Sequence, residues 1–234
     1  MTTLHEADRQ ALMANPWFAA LPEAFRLELL ACAQWRALEA GALVYARGDA
    51  GTAWLAVVEG VVRISGTSSA GREAVLTFYT PGHWFGEISL LDGLRRTHDA
   101  SAHTAARLLA VPGADFRRLL RAHPDFSLAL LQLCATRLRA VAAGLESSAL
   151  DPPEQRLASR LLALAHGYGN ATPGGLCIQL HLPQETLAQL IGVSRQRVHQ
   201  VLKAWEAQAL IAQHYGRIEI LDLQRLASLA DGTV

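Results

Sequence analysis

The stretch LEAGALVYARGDAGTAWLAVVEGVVRISGTSSAGREAVLTFYTPGHWF, Leu38 to Phe85, decides the fold. It is a series of short β-rich runs cut by Gly41, Gly48, Gly51, Gly60, Gly66, Gly71 and Gly82. Short strands with glycine turns at regular spacing indicate an antiparallel sandwich or barrel rather than βαβ units. Upstream, the first forty residues read as helical, with Trp17, Phe18, Leu21, Phe25 and Leu29 at helical spacing. Downstream, the strands stop after ARLLAVPGADF (Ala106 to Phe116), and a helical region follows, broken near Pro124 and then free of Gly and Pro to Gly144.

Within that helix Leu131, Cys134, Leu138, Val141 and Leu145 alternate at spacings of three and four. This is the a/d seam of a coiled coil, which predicts a dimer interface with a second copy of the chain. LDPPEQ (Leu150 to Gln155) marks a boundary: Asp151 is placed to cap a new helix, Pro152 suits its first position, and Glu154 sits where a capping-box acid belongs. The helix is expected to run to about His166, with GYGNATPGG as a loop. The expected organisation is a β-roll domain over 1–120, a dimerisation helix over 121–150 and a third domain over 151–234.

Bulk properties exclude several classes. The 234 residues suffice for one large domain or two small ones. Cys32, Cys134 and Cys177 are far apart, so neither a disulfide framework nor a zinc or iron–sulfur site is expected. No apolar run approaches the ~18 residues of a membrane span, and MTTLHEADRQ lacks a signal-peptide pattern, so the expected address is cytoplasmic. Net charge is zero, and the segment from Asp151 onward carries seven Arg/Lys against seven Asp/Glu. Nucleic-acid binders usually advertise a basic domain, so any DNA-binding case rests on local geometry.

LPQETLAQLIGVSRQRVHQVLKAWEAQALI, Leu182 to Ile211, supplies that geometry. A first helix from about Gln184 to Ile191 turns Leu187, Leu190 and Ile191 inward. Ala188 and Gly192 allow a close approach and a turn, and Ser194 caps a second helix. Val198, Val201, Leu202 and Trp205 form its buried face, leaving Arg195, Gln196, His199, Gln200 and Lys203 outside. This is a helix-turn-helix presenting donors where such helices meet base edges. Arginine grips guanine and glutamine grips adenine with paired hydrogen bonds, while Arg197 and Lys203 suit phosphates. LIAQHYGRIEILD (Leu210 to Asp222) then reads as a two-stranded wing turning at Tyr215–Gly216.

A glycine-punctuated β-roll, a dimerising helix and a winged helix-turn-helix, in that order, resemble the Crp/Fnr family of bacterial transcription regulators. The resemblance covers essentially the whole chain and rests on RGDAGTAWLAVVEGVVRI, FGEISLLDG-LRRT and LAQLIGVSRQRVHQVL. It implies an α+β chain with a cyclic-nucleotide-binding-type β-roll (jelly roll), a homodimer that binds a palindromic operator in double-stranded DNA, and RNA polymerase as a further partner. In cyclic-AMP-responsive members a Gly-Glu pair and an Arg-Ser/Thr pair bind the cyclic phosphate-ribose. By this resemblance Gly86 gives close backbone approach, Glu87 accepts from the ribose hydroxyl, Arg96 pairs with the phosphate, and Thr97 donates to it. Ile88 and His98 complete the stretch.

The chain departs from the cyclic-AMP pattern at His98, where a small residue is usual, and at Val141 and Ala142, which stand where a base-reading Thr-Ser pair would. Those two cannot hydrogen-bond a base, so the phosphate half of the pattern survives and the base-reading half does not. The effector is therefore open: cyclic AMP, another small molecule, haem or none. His98 reads as a solvated or structural histidine, part of a repurposed pocket, or a haem ligand with His83 and His103 nearby. The N-terminal cysteine cluster of iron–sulfur members is missing. In the recognition helix Arg195 is kept, Gln196 replaces a Glu, and Gln200 stands at a later Arg position, which predicts a guanine opposite Arg195 and altered neighbouring bases. A cupin-like metal enzyme is the alternative class. HDASAH (His98 to His103) has the wrong ligand spacing for one, no hydrolase or kinase motif is found, and no enzyme is expected.

Overall fold

The structure, a computed structural model, describes residues 4–233. The chain forms two compact units, one ending at Leu138 and the other beginning at Arg139. The first contains α1 (Glu6–Met13), α2 (Pro16–Ala19), α3 (Glu23–Cys32), β1 (Gln34–Leu38), β2 (Leu43–Tyr45), β3 (Ala53–Glu59), β4 (Val62–Thr67), β5 (Glu73–Tyr79), β6 (Trp84–Phe85), α4 (Ile88–Leu91), β7 (Asp99–Ala102), β8 (Ala106–Pro112) and α5 (Gly113–Ala122). The 27-residue helix α6 (Pro124–Leu150) follows.

Two antiparallel four-stranded sheets, ordered β1-β8-β3-β6 and β2-β7-β4-β5, make the β-roll. The central run AWLAVVE of β3 is apolar on both faces because both faces are covered. Leu55 and Val57 join Val44, Val62, Ile64, Phe85 and Leu108 in one core. Trp54, Ala56 and Val58 face the other way, into a second core with Phe18, Leu21, Phe25, Leu29, Phe116 and Phe126. The N-terminal helices thus exist to bury one face of a sheet. Trp17 ties them to α6, its Nε1 donating to the Ala129 carbonyl at 2.8 Å.

The second unit holds α7 (Pro153–Tyr168), β9 (Gly169–Thr172), β10 (Gly175–Ile178), α8 (Gln184–Ile191), α9 (Arg195–Ala207), β11 (Ile211–His214), β12 (Arg217–Ile220) and α10 (Leu223–Ala230). α10 packs on α7, and α8 on both α7 and α9. The strands form one sheet, β11-β12-β10-β9.

Four expectations need correction. The first forty residues are not all helical, since β1 begins at Gln34 and pairs with β8 from Ala110 to Ala106. GYGNATPGG is not a loop but the end of α7 and a hairpin, β9–β10, that widens the two-stranded wing to four strands. Its glycines serve close backbone approach: a Cβ on Gly169 would lie 2.4 Å from the Ala165 oxygen, and one on Gly175 2.0 Å from the Ile220 oxygen. Pro152, not Asp151, is the N-cap residue of α7, with no side-chain cap, and the helix runs to Tyr168 rather than His166. By length and mean hydropathy (1.4) α6 is also apolar enough to cross a membrane, although it carries Arg137, Arg139 and Glu146.

Candidate nucleic-acid interface and effector pocket

In the second unit α8 ends on Gly192, whose φ of +69° is the left-handed conformation that turns the chain at a helix C-terminus. Ser194 then caps α9, its hydroxyl accepting from the Arg197 amide at 3.2 Å. Val198, Val201, Leu202 and Trp205 are buried, as are Leu187, Ala188, Leu190 and Ile191 of α8. That packing fixes which face of α9 is free: Arg195, Gln196, Arg197, His199, Gln200 and Lys203 are all exposed. Arg195 and Lys203 form no ion pair among the described residues. Arg197 does, with Glu154 of α7, so an expected phosphate contact is held by its own fold. Gln184 is half-buried and its amide faces Gln213 of β11 at 3.4 Å. Glu206, the acid of this helix, accepts from the Gln213 amide. At the wing tip Tyr215 is fully exposed with φ +45°.

In the β-roll the Gly-Glu and Arg-Thr pairs do come together, around a cavity of about 100 Å³. Gly86 has φ +88°, and a Cβ there would sit 2.8 Å from Arg96 Nη1, so only glycine fits. Glu87 is 2% exposed. Its Oε1 accepts from Arg137 of α6, which also donates to the Trp84 carbonyl. Glu87 Oε2 is buried without a hydrogen-bond partner. Arg137 is the residue the sequence did not reveal; a lone arginine between seam positions carries no pattern.

Arg96 is buried but differently aimed than expected. Its Nη1 donates to the Gly86 oxygen at 2.5 Å and its Nη2 to the Ala53 oxygen at 2.8 Å. Its guanidinium carbon lies 4.3 Å from the centre of the Tyr45 ring. Burial lowers its pKa from the ordinary arginine value, with Tyr45 and Glu87 opposing. Burial also pushes the Tyr45 phenol up to about 12 and raises Tyr79, so both rings line the cavity as neutral groups. Thr97 Oγ1 is 2.9 Å from His98 Nδ1. His98 is half-buried, and desolvation, then Arg47, lowers its pKa against the pull of Asp99. Ile88 lines the cavity yet is 53% exposed. Val141 and Ala142 are exposed on α6.

Histidines offered as haem ligands are engaged elsewhere: His83 Nδ1 lies 2.6 Å from Thr80 Oγ1, and His103 packs on Phe78. Among the described residues no three His, Cys, Asp or Glu gather as a metal site. Cys32, Cys134 and Cys177 are free and half-buried.

A capped, donor-bearing recognition helix with a β wing, carried on a chain with a cyclic-nucleotide-type roll, defines a DNA-binding transcription regulator. Residues 35–123 match the cyclic nucleotide-binding domain model, and residues 155–229 the Crp-like helix-turn-helix domain model. The chain is 32% identical over 190 residues to a CRP-like cAMP-activated global transcriptional regulator of Mycobacterium tuberculosis, covering 81% of this chain and 85% of that one. It is 32% identical over 199 residues to the cyclic AMP receptor protein of Thermus thermophilus, covering 85% and 89%. A solved CRP/FNR-family transcriptional regulator from Thermus thermophilus superposes with a TM-score of 0.72 at 27% identity, covering 85% and 98%. The chain belongs to the Crp/Fnr family of transcription regulators.

Proposed function

We propose that the chain acts in the cytoplasm as a homodimer that binds a palindromic operator through α9 and is controlled by an effector in the β-roll. The observation that carries the DNA half is the exposed row of Arg195, Gln196, Gln200 and Lys203 on a helix whose opposite face is fully packed. The dimer half is supported by the α6 seam, where Leu131, Leu138, Val141 and Leu145 are 58–70% exposed apolar side chains. A contiguous apolar stripe on an otherwise folded chain marks an interface. RNA polymerase is the partner such a DNA-bound dimer would recruit or exclude.

A cyclic nucleotide suits the inner cavity chemically. Glu87 Oε2 is an orphaned buried acceptor for a ribose hydroxyl, and Arg96 and Thr97 carry donors that suit a phosphate, although both now serve other partners. The size of the cavity supports a second reading, a ligand-independent regulator. About 100 Å³ is far below the roughly 300–1,000 Å³ of ordinary small-molecule sites. Entry would require Arg96 to release two backbone carbonyls and Thr97 to release His98.

Two experiments test this. Arg195→Ala is expected to cost roughly 1–3 kcal/mol of operator affinity and relax the base preference opposite it; unchanged affinity and preference would break the proposed register of α9. Calorimetric titration with cyclic AMP separates the effector readings. Saturable binding supports the phosphate-ribose clamp, and silence removes cyclic AMP and leaves another effector, haem included, or none.

A further inference from the structure

The larger opening in the β-roll is a different one. A cleft of about 470 Å³ lies where β2, the loop of residues 46–52, the start of β3, β1 and residues 95–96 meet, sharing only Tyr45 and Arg96 with the inner cavity. Its volume falls within the range of small-molecule sites. Val44, Leu55 and Ala110 give it an apolar floor.

Its charge is one-sided. Arg36, Arg95 and Arg96 all line it, and none of the three has an ion-pair partner among the described residues. The single carboxylate on its wall, Asp49, accepts from the Ala46 amide through Oδ2 at 2.8 Å, and its charge also acts on Arg96, so three guanidinium groups face one carboxylate. Each arginine is anchored by part of its fork. Arg36 Nη2 donates to the Leu43 oxygen at 3.3 Å and Arg95 Nη1 to the Gly48 oxygen at 2.8 Å. Arg96, 5% exposed, spends both terminal nitrogens on carbonyls and leaves its buried Nε without an acceptor. Carbonyl anchoring holds a guanidinium in place without neutralising it, so the remaining donors are pre-ordered for an anion.

We infer that this outer cleft is a binding site for a small phosphate-bearing ligand, its phosphate held by Arg36 and Arg95 against Arg96 and its body lying on the apolar floor. A phosphate offers several charged oxygens to matched guanidinium forks, a bidentate geometry that a single-atom chloride cannot provide. The site uses Arg96 where the structure holds it, so an effector that drew Arg96 into the inner cavity would compete with this one.

The test is a calorimetric titration of the full chain with inorganic pyrophosphate in low-chloride buffer. We expect saturation at one site per chain, with Arg36→Gln and Arg95→Gln each weakening binding about tenfold, the worth of one charge-assisted contact. Thr97→Ala and Arg195→Ala should leave it unchanged. Arg36→Lys, which keeps the charge and loses the fork, should weaken it less than Arg36→Gln and guards against a folding defect. The inference is overturned by the lack of saturable binding up to about 10 mM. It is equally overturned if binding survives in both glutamine variants, or if it is lost in Thr97→Ala or Arg195→Ala instead, which would place the anion in the inner cavity or on α9.

Discussion

Glu87 shows how much a single buried side chain demands of its neighbours. One oxygen is neutralised by Arg137 and the other has no partner. Arg137→Ala would leave a buried carboxylate uncompensated, which costs roughly 3–5 kcal/mol in a fully buried pair. The low end is expected here, because Arg137 keeps about a quarter of its side chain exposed (26%). Adding Glu87→Gln to that variant removes the stranded charge and should recover much of the loss in thermal denaturation; an equally unstable double variant would mean Arg137 acts by packing on Tyr79 instead. His98 gives the pH counterpart. Its folded pKa lies below the ordinary histidine value, through desolvation first. The unfolded chain therefore binds the extra proton more readily, and stability declines as pH falls below about 6.5. Between about pH 7 and pH 5.5 the protein should lose more melting temperature than its His98→Asn variant; parallel slopes would show a freely solvated imidazole. Gly86, Glu87, Arg96 and Thr97 were legible through their resemblance to a family motif carried on one short stretch of chain. Arg137 was not, since its partner is distant in sequence, and the aim of Arg96 toward Gly86 and Ala53 is a rotamer that no spacing encodes.

At the scale of elements, legibility followed how many faces a segment buries. β3 was readable because both its faces are covered, which makes a continuous apolar run. α8 and α9 were readable because caps and a glycine turn punctuate them. β1 was missed because QWRAL directly follows a helix and is only partly buried. The β9–β10 hairpin was missed because its glycines mimic a loop, although Ile178, Leu180 and Leu182 alternate as a strand and its extension should and are all buried. Gly192 offers a clean test of element geometry. Nothing lies within 4 Å of a Cβ placed there, so only its φ of +69° penalises a side chain. Gly192→Ala should cost roughly 1–2 kcal/mol of stability, read as a lower denaturant midpoint with unchanged slope, while operator specificity persists in the folded fraction. A loss beyond that range would show that the α8–α9 turn needs more than a left-handed residue.

For the whole molecule the zero net charge sets the terms. Non-specific attraction to DNA scales with phosphates neutralised, and a neutral chain has little to spend on it. Specific binding must then come from a few donors used twice, which is what two copies of α9 joined along α6 would provide. Leu138, 70% exposed in the seam, is where that reading is most exposed to test: Leu138→Glu should halve the mass seen by light scattering. The operator tests the same idea from the DNA side. A rigid dimer reads half-sites about one helical turn apart, so inserting about 5 bp, half of the ~10-bp turn, turns one half-site to the far face. Affinity should then fall to that of a single half-site, and Leu138→Glu should bind the normal and the lengthened operator alike. If the parent chain also bound both equally, each α9 would be reading its half-site independently. The homodimer proposal would fail, while the recognition face of Arg195, Gln196 and Gln200 would stand.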